Sequence, residues 1–341
     1  MTRRVPRALI VLACALPCAT ALAACGDDGG GGSAPKATGA RATLEKTFGA
    51  SSTSIDRARV DADLKLAPEG LLKLGGPIAL KITGPFAAPT ATAPPRFDLA
   101  FLATLGGQQF RGGALSTGTR SFLRLDDQAF TLGGRERKDG SGSDKKHPGL
   151  TVLGIDPLRW VTSVRDAGSE RVAGVETTHL TGNVDAQRLL ADVGTLLDKA
   201  GGKAGSILSP ALLTQIGDAV TSAKVDIWTG AGDSIVRQLA VAVRFAFKAA
   251  QSPIVGLDGG RLSLRVRLDD VNGAPVKVSA PADSRPLTDV TGEGGLGALL
   301  GGIGAGITGG LGGGAVELVG CVTNAHGSAV ELVRCVSKLA P

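Results

Sequence analysis

Five cysteines are the residues of this chain best suited to covalent chemistry, and they fall into two groups. Cys14, Cys18 and Cys25 lie in the first twenty-five residues. Cys321 and Cys335 occupy the same place in two near-identical octapeptides, "AVELVGCV" (315–322) and "AVELVRCV" (329–336). Cys25 closes Leu22-Ala23-Ala24-Cys25, which resembles a lipobox, whose cysteine is lipidated and becomes the first residue of the mature chain. The surroundings agree with that chemistry. Arg3, Arg4 and Arg7 precede an apolar run of about 17 residues that ends in small side chains, short for a membrane span and typical of a cleaved export signal. Residues 1–24 are therefore expected to be a signal peptide. Residues 25–42, rich in Gly, Ser, Ala and Pro near their start, are expected to be a tether.

Export decides how the second pair reads. Outside the cytosol, thiols oxidise, so Cys321 and Cys335 are expected to form a disulfide and not a metal or catalytic site. On one straight helix they would stand about 21 Å apart, beyond bridging distance. The intervening "TNAHGS" carries a helix stop, Gly327, followed by a fresh start at Ser328. Residues 315–341 are thus predicted to be a helical hairpin held by one disulfide, too small to persist without it.

Other chemistry is sparse. His147, His179 and His326 lack ligand partners at helical spacing, and no serine sits in a nucleophile elbow. Asp126-Asp127 and Asp269-Asp270 read as exposed strand-end acids. Two Gly-x-Gly-x-x-Gly matches, at 292–297 and 304–309, lie in a tract that is more than half glycine, where chance matches are expected; residues 291–314 read as a linker. The net charge of +6 falls to about +3 without the signal segment, too mild and dispersed for nucleic acid. No catalytic residue, metal site or cofactor is assigned.

The intervening bulk must therefore be understood through its elements. "IDRARVDADLKL" (55–66) alternates apolar and charged residues, as a strand between core and water does. The period recurs at 78–84, 96–105, 108–116 and 121–132. "IDPLRWVTSVRDAG" changes it: Asp156 as N-cap, Pro157 at the first position and Leu158, Val161 and Val164 as the stripe predict a helix. A strand over 172–184 and helices over 185–200 and 209–223 follow. Strands then resume at 224–230, 236–248, 261–270 and 275–281. Strands flanking a helical middle predict an α+β domain over 43–290 with one large twisted sheet.

Two of these strands are apolar on both sides. Phe97, Leu99 and Phe101 form one stripe, with Ala100 on the reverse; Val241, Val243 and Phe245 form another, with Ala242 on the reverse. Helices packed on a filled core account for this, and so does an apolar cleft that takes a hydrophobic ligand. The pattern alone does not say which register faces inward.

The order of lipobox, tether, amphipathic strands, "DPLRW", "ERVAGVETTHLTGNVD", helices and closing strands resembles the LppX/LprAFG lipoproteins of actinobacteria, over about Thr53 to Ala280. The best local match is Val172–Asp185. The resemblance implies a half-open antiparallel β-barrel of LolA/LolB type, with helices on its concave face and an apolar cavity for acylated lipids. It implies a lipid-anchored protein on the extracytoplasmic face of the membrane that binds or transfers a lipid or other hydrophobic ligand. The alternative is an anchored, non-catalytic scaffold or sensor that binds another envelope protein. The Gly-rich tract and the disulfide hairpin have no counterpart in that family pattern.

Overall fold

The computed structural model describes residues 35–49, 52–70, 77–89, 94–132, 156–199, 210–248, 257–292 and 320–338. Cys25, His147 and nearly all of the Gly-rich tract lie outside them. A helix, α1 (Pro35–Phe48), leads into six strands: β1 (Arg57–Gly70), β2 (Ile78–Ala87), β3 (Arg96–Leu105), β4 (Gln108–Thr117), β5 (Ser121–Leu125) and β6 (Gln128–Leu132). The middle holds α2 (Pro157–Trp160), β7 (Val161–Val172), β8 (Val175–Val184), α3 (Ala186–Lys199) and α4 (Pro210–Ala219). Then come β9 (Val220–Gly230), β10 (Val236–Ala246), β11 (Leu257–Asp269), β12 (Arg285–Pro286) and α5 (Thr288–Thr291). Helical residues 320–324 (α6) and Ala329–Ser337 (α7) close the described chain.

All twelve strands join one open sheet in the order β12-β6-β5-β4-β3-β2-β1-β11-β10-β9-β8-β7. Every pairing is antiparallel except β12 with β6. Helices pack on one face of it, which is the expected half-barrel architecture. Tight turns join neighbours: Gly106 and Gly107 both take positive φ between β3 and β4, and Ala173 and Gly174 do so between β7 and β8. These two turns mark opposite ends of the sheet.

Two apolar clusters hold the helices to that face. In the first, Ala40, Leu44 and Phe48, four residues apart on α1, are buried with Trp160, Leu180, Val225, Ile227, Val241 and Val243. In the second, Leu287, just before α5, and Val290 on it join Val322, Ala325, Val330 and Val333 of the α6–α7 hairpin over Phe110, Leu125 and Phe130.

Local signals mislead in several places, among them residues 220–223, expected as the end of a helix and found as the start of β9. The helix expected from Asp156 onward ends at Trp160, after which the chain is strand β7. Val161 and Val164 are buried as the helical stripe requires, but a β-bulge at Ser163 (φ 52°) supplies the parity, because the extra residue turns positions three apart to one side. Residues 275–281 alternate yet form no strand, because both edges of the preceding β11 are already paired, to β1 and to β10. Residues 35–42 of the expected tether are helical, as part of α1.

The hairpin forms as expected, with Cys321 and Cys335 joined across a Cα–Cα distance of 5.6 Å. His326 (φ 47°) and Gly327 (φ 83°) reverse the chain. Ser328 caps α7 by accepting from the Glu331 amide at 3.3 Å. The sheet grips the same spot. Asp126, in the β5–β6 turn, accepts from Ser328 Oγ (3.0 Å), Ala329 N (3.1 Å) and Val330 N (3.2 Å), and Gln108 accepts from Gly327 N (2.8 Å).

Closing a loop of this length is worth about 3 kcal/mol in the chain-entropy model. Cys335→Ser is expected to free the hairpin and uncover Phe110, Leu125 and Phe130 while the α1-side core stays folded. Two-step thermal unfolding together with new binding of an apolar dye is the expected signature. A single unshifted transition without dye binding would show that the docking contacts suffice alone.

Candidate functional site

Directly opposed residues of antiparallel neighbours point to the same face, so the register fixes which side chains share a surface. One row crosses nine strands as Leu125, Gly112, Phe101, Ile82, Ala62, Val266, Leu239, Ile227 and Leu180. The adjacent row reads Phe110, Ala103, Leu80, Leu64, Leu264, Val241 and Val225. This inner face is apolar from one flank to the other, and both helical clusters lie on it.

The clusters cover its flanks. The first reaches Leu262, Leu264 and Leu268 on β11, and the second reaches Phe101, Ala103 and Leu105 on β3. Between them, Val60, Ala62, Leu64 and Leu66 of β1, with Leu80 and Ile82 of β2, are half-buried and belong to neither cluster. Two to three strands at about 4.8 Å spacing give an apolar trough roughly 10–15 Å wide, and the six residue steps from Val60 to Leu66 make it about 20 Å long.

The sequence-derived candidates separate on this frame. Phe97 and Leu99 are half-buried on the inner face beside the trough, and Phe101 stands at its margin. Val241 and Val243 face inward but are packed under the first cluster, with 6% and 8% exposure. Phe245 is inward and half-buried. Ala100 and Ala242 do not belong to the cleft: the two-residue period turns both to the outer face, where both are exposed. Two of the phenylalanines lie across a glycine on the neighbouring strand. A Cβ at Gly112 would stand 2.3 Å from the Phe101 ring, and one at Gly260 would stand 2.8 Å from the Phe245 ring. The trough floor on β1 and β2 was not singled out by sequence reasoning, because an ordinary half-buried strand carries the same alternation.

The outer face is mostly charged. Asp63 and Arg265 pair at 2.8 Å, Lys81 and Asp61 at 3.9 Å, and Arg124 bonds Asp98. His179 bonds Asp226 at 3.0 Å and stacks on Trp228, whose Nε1 donates to Glu170 at 2.7 Å. Ala242 lines a hollow of about 300 Å³ with Asp63, Lys65, Asp226, Ser263 and Arg265. A second hollow of about 450 Å³ lies at the sheet end, between the start of α3 and the end of α4, and includes Asn183, Gln187 and Lys224. Both are polar on one side and stand apart from the trough. Asp126, read from sequence as a turn acid, holds the hairpin; the only sequence signal for that role is the "SAVE" start of α7, which needs a capped N-terminus.

No protein-family model matches the chain, and neither does any curated protein. Several solved structures are similar to it. The lipoprotein LppX of Mycobacterium tuberculosis is 15% identical with a TM-score of 0.37, covering 71% of this chain and 99% of that one. LprF from Mycobacterium bovis is 13% identical with a TM-score of 0.38, covering 73% and 99%. The MucA/MucB complex of Pseudomonas aeruginosa is 11% identical with a TM-score of 0.26, covering 72% of this chain and 62% of that one. The likeness is one of fold.

Behind the trough, the hydrogen bond from Arg265 holds the Asp63 carboxyl below its ordinary value, with Lys81 adding to the effect against a smaller cost of burial. A depressed carboxylate contributes stability above its unfolded pKa of about 3.9 and loses it as pH falls through the folded value. With Arg265 largely exposed, the pair is worth about 1 kcal/mol at most. Asp63→Asn is expected to lower the melting temperature slightly at pH 7 and to reduce its fall below about pH 4. Parallel melting-temperature curves for the two proteins across that range would show that the pair is not coupled to folding.

Proposed function

We propose that this chain is a lipid-anchored, non-catalytic protein that binds a lipid or another hydrophobic ligand outside the cytoplasmic membrane and hands it on. The observation that carries this reading is the apolar trough over β1 and β2, flanked by two packed helical walls. A hydrocarbon chain laid there removes apolar surface from water on both partners, at about 25 cal/mol per Å². The trough offers aliphatic side chains and the edges of Phe97 and Leu99, with no charged group on the inner rows. Hydrophobic contact without a convergent polar constellation suits carriage better than chemistry. The lipidation expected at Cys25 would hold the trough near the source of such ligands.

Native mass spectrometry of the purified protein is expected to show co-purified acyl mass that organic extraction removes. Ala62 sits half-buried on the trough floor, so Ala62→Trp is expected to lower the bound mass with little change in melting temperature. In a filled core the same change costs about 1–3 kcal/mol. Ala242→Trp, on the outer face, serves as the control and should leave the bound mass unchanged. An intact fold with no bound mass in wild-type protein would favour the scaffold alternative.

A further inference from the structure

Helix α1 fixes at which end of the sheet the described chain begins. Arg41 donates to the carbonyls of Leu158 and Val161 (3.4 Å each), at the sheet end that carries the Gly106–Gly107 turn. Six residues later Thr47 bonds Thr229 at 2.9 Å, toward the opposite end. The helix therefore starts beyond the Gly106–Gly107 end, with Pro35 about 9 Å before Arg41. Nine residues lie between Cys25 and Pro35, ten residue steps that span at most about 35 Å.

The same sheet end has a distinct surface. Lys65, Lys224, Arg244 and Arg261 are exposed on the outer face toward this end of four neighbouring strands, β1, β9, β10 and β11, two to five residues in from the strand ends, and exposed Lys248 follows β10. Arg244 and Arg261 are direct cross-strand partners, like charges placed opposite one another. Acids stand among these cations as well: Glu69 is 3.8 Å from Arg261, Asp258 is exposed, Asp63 and Asp226 share a hollow with Lys65, and Asp185 shares one with Lys224. On the inner side of the lip, Phe245 and Phe247 form an edge-to-face pair with centroids 5.7 Å apart, both half-exposed. Cations around half-exposed aromatics form the surface that peripheral proteins present to anionic headgroups.

We propose that this end of the sheet, at β1, β11, β10 and β9, docks onto an anionic phospholipid surface. The proposal builds on the anchored-carrier reading: the short span from Cys25 keeps the lip within reach, and docking points the long axis of the trough at the bilayer. Phe245 and Phe247 enter the headgroup boundary while the five cations meet lipid phosphates. Each cation lost lowers the docked population on the order of five-fold.

The test uses the full-length protein reconstituted into phosphatidylcholine vesicles with and without phosphatidylglycerol. Nitroxides are placed singly at Ala246→Cys, on the lip, and at Ala274→Cys, at the opposite end. Their accessibility to oxygen and to an aqueous nickel complex reports depth. Position 246 is expected to become lipid-accessible only with phosphatidylglycerol, and position 274 to stay aqueous. Reversing Lys224, Arg244 and Arg261 to Glu should return position 246 to water; Phe245→Ser with Phe247→Ser should reduce its depth. An aqueous position 246 in anionic vesicles overturns the docking, whatever Cys25 carries. Mass analysis of the N-terminal peptide judges the anchor separately: an unacylated Cys25 with position 246 still in lipid removes the anchor and leaves the docking.

Discussion

A sheet has only two faces, and the two-residue period of its strands assigns every side chain to one of them. In this chain nine neighbouring strands put apolar residues on the same face without a break, from Leu125 to Leu180. The rest of the structure follows from the need to keep that face from water. Helices α1 to α3 cover it from the β7 side, and α5 with the disulfide hairpin covers it from the β6 side. Among the described residues, neither cluster includes a side chain of β1 or β2, the two strands at the middle of the order. The trough is thus a consequence of sheet width: two flanking helix layers leave a gap where their reach ends.

Much of this is legible in the sequence. Alternation placed β3 over the same residues, 96–105, and the repeated octapeptides announced both the disulfide and its hairpin. What failed was local evidence that tertiary context overrides. At Val161-Thr162-Ser163-Val164 two residues spaced by three satisfy a helical stripe and a bulged strand equally, and β-branched residues beside an available β8 edge decide for the strand. At 275–281 the alternation is real, but a strand needs a free neighbour, and sequence does not disclose that β11 has none. Facing stays open in the sequence for the same reason: Ala100 and Ala242 share strands with inward residues, and small size says nothing about side.

The disulfide hairpin illustrates how a weak element gains a defined place. Alone, two helices of this length would not persist. Its apolar side, Val322, Ala325, Val330 and Val333, completes a cluster for which the sheet supplies the aromatics Phe110 and Phe130. Asp126 and Gln108 then fix its position through amides that the helix start would otherwise leave unpaired. Burial supplies the attraction, and the polar bonds at the turn select one placement.

An apolar strip outside both packed clusters would ordinarily be a weak point, since a core missing one layer tends to lose its packing. Here the strip's shape is held by groups that do not occupy it. β1 pairs with β11 from Arg59 to Gly70 and with β2 from Arg57 to Leu66, so its backbone is bonded on both edges along the trough. Directly behind, the outward alternates of the same strands are tied by Asp63 to Arg265 and by Lys81 to Asp61. One strand therefore serves both purposes, its odd-numbered residues fixing the sheet from outside while its even-numbered residues stay available within. The floor thus keeps its form through backbone pairing and outer-face ion pairs, without calling on the apolar side chains of its inner face.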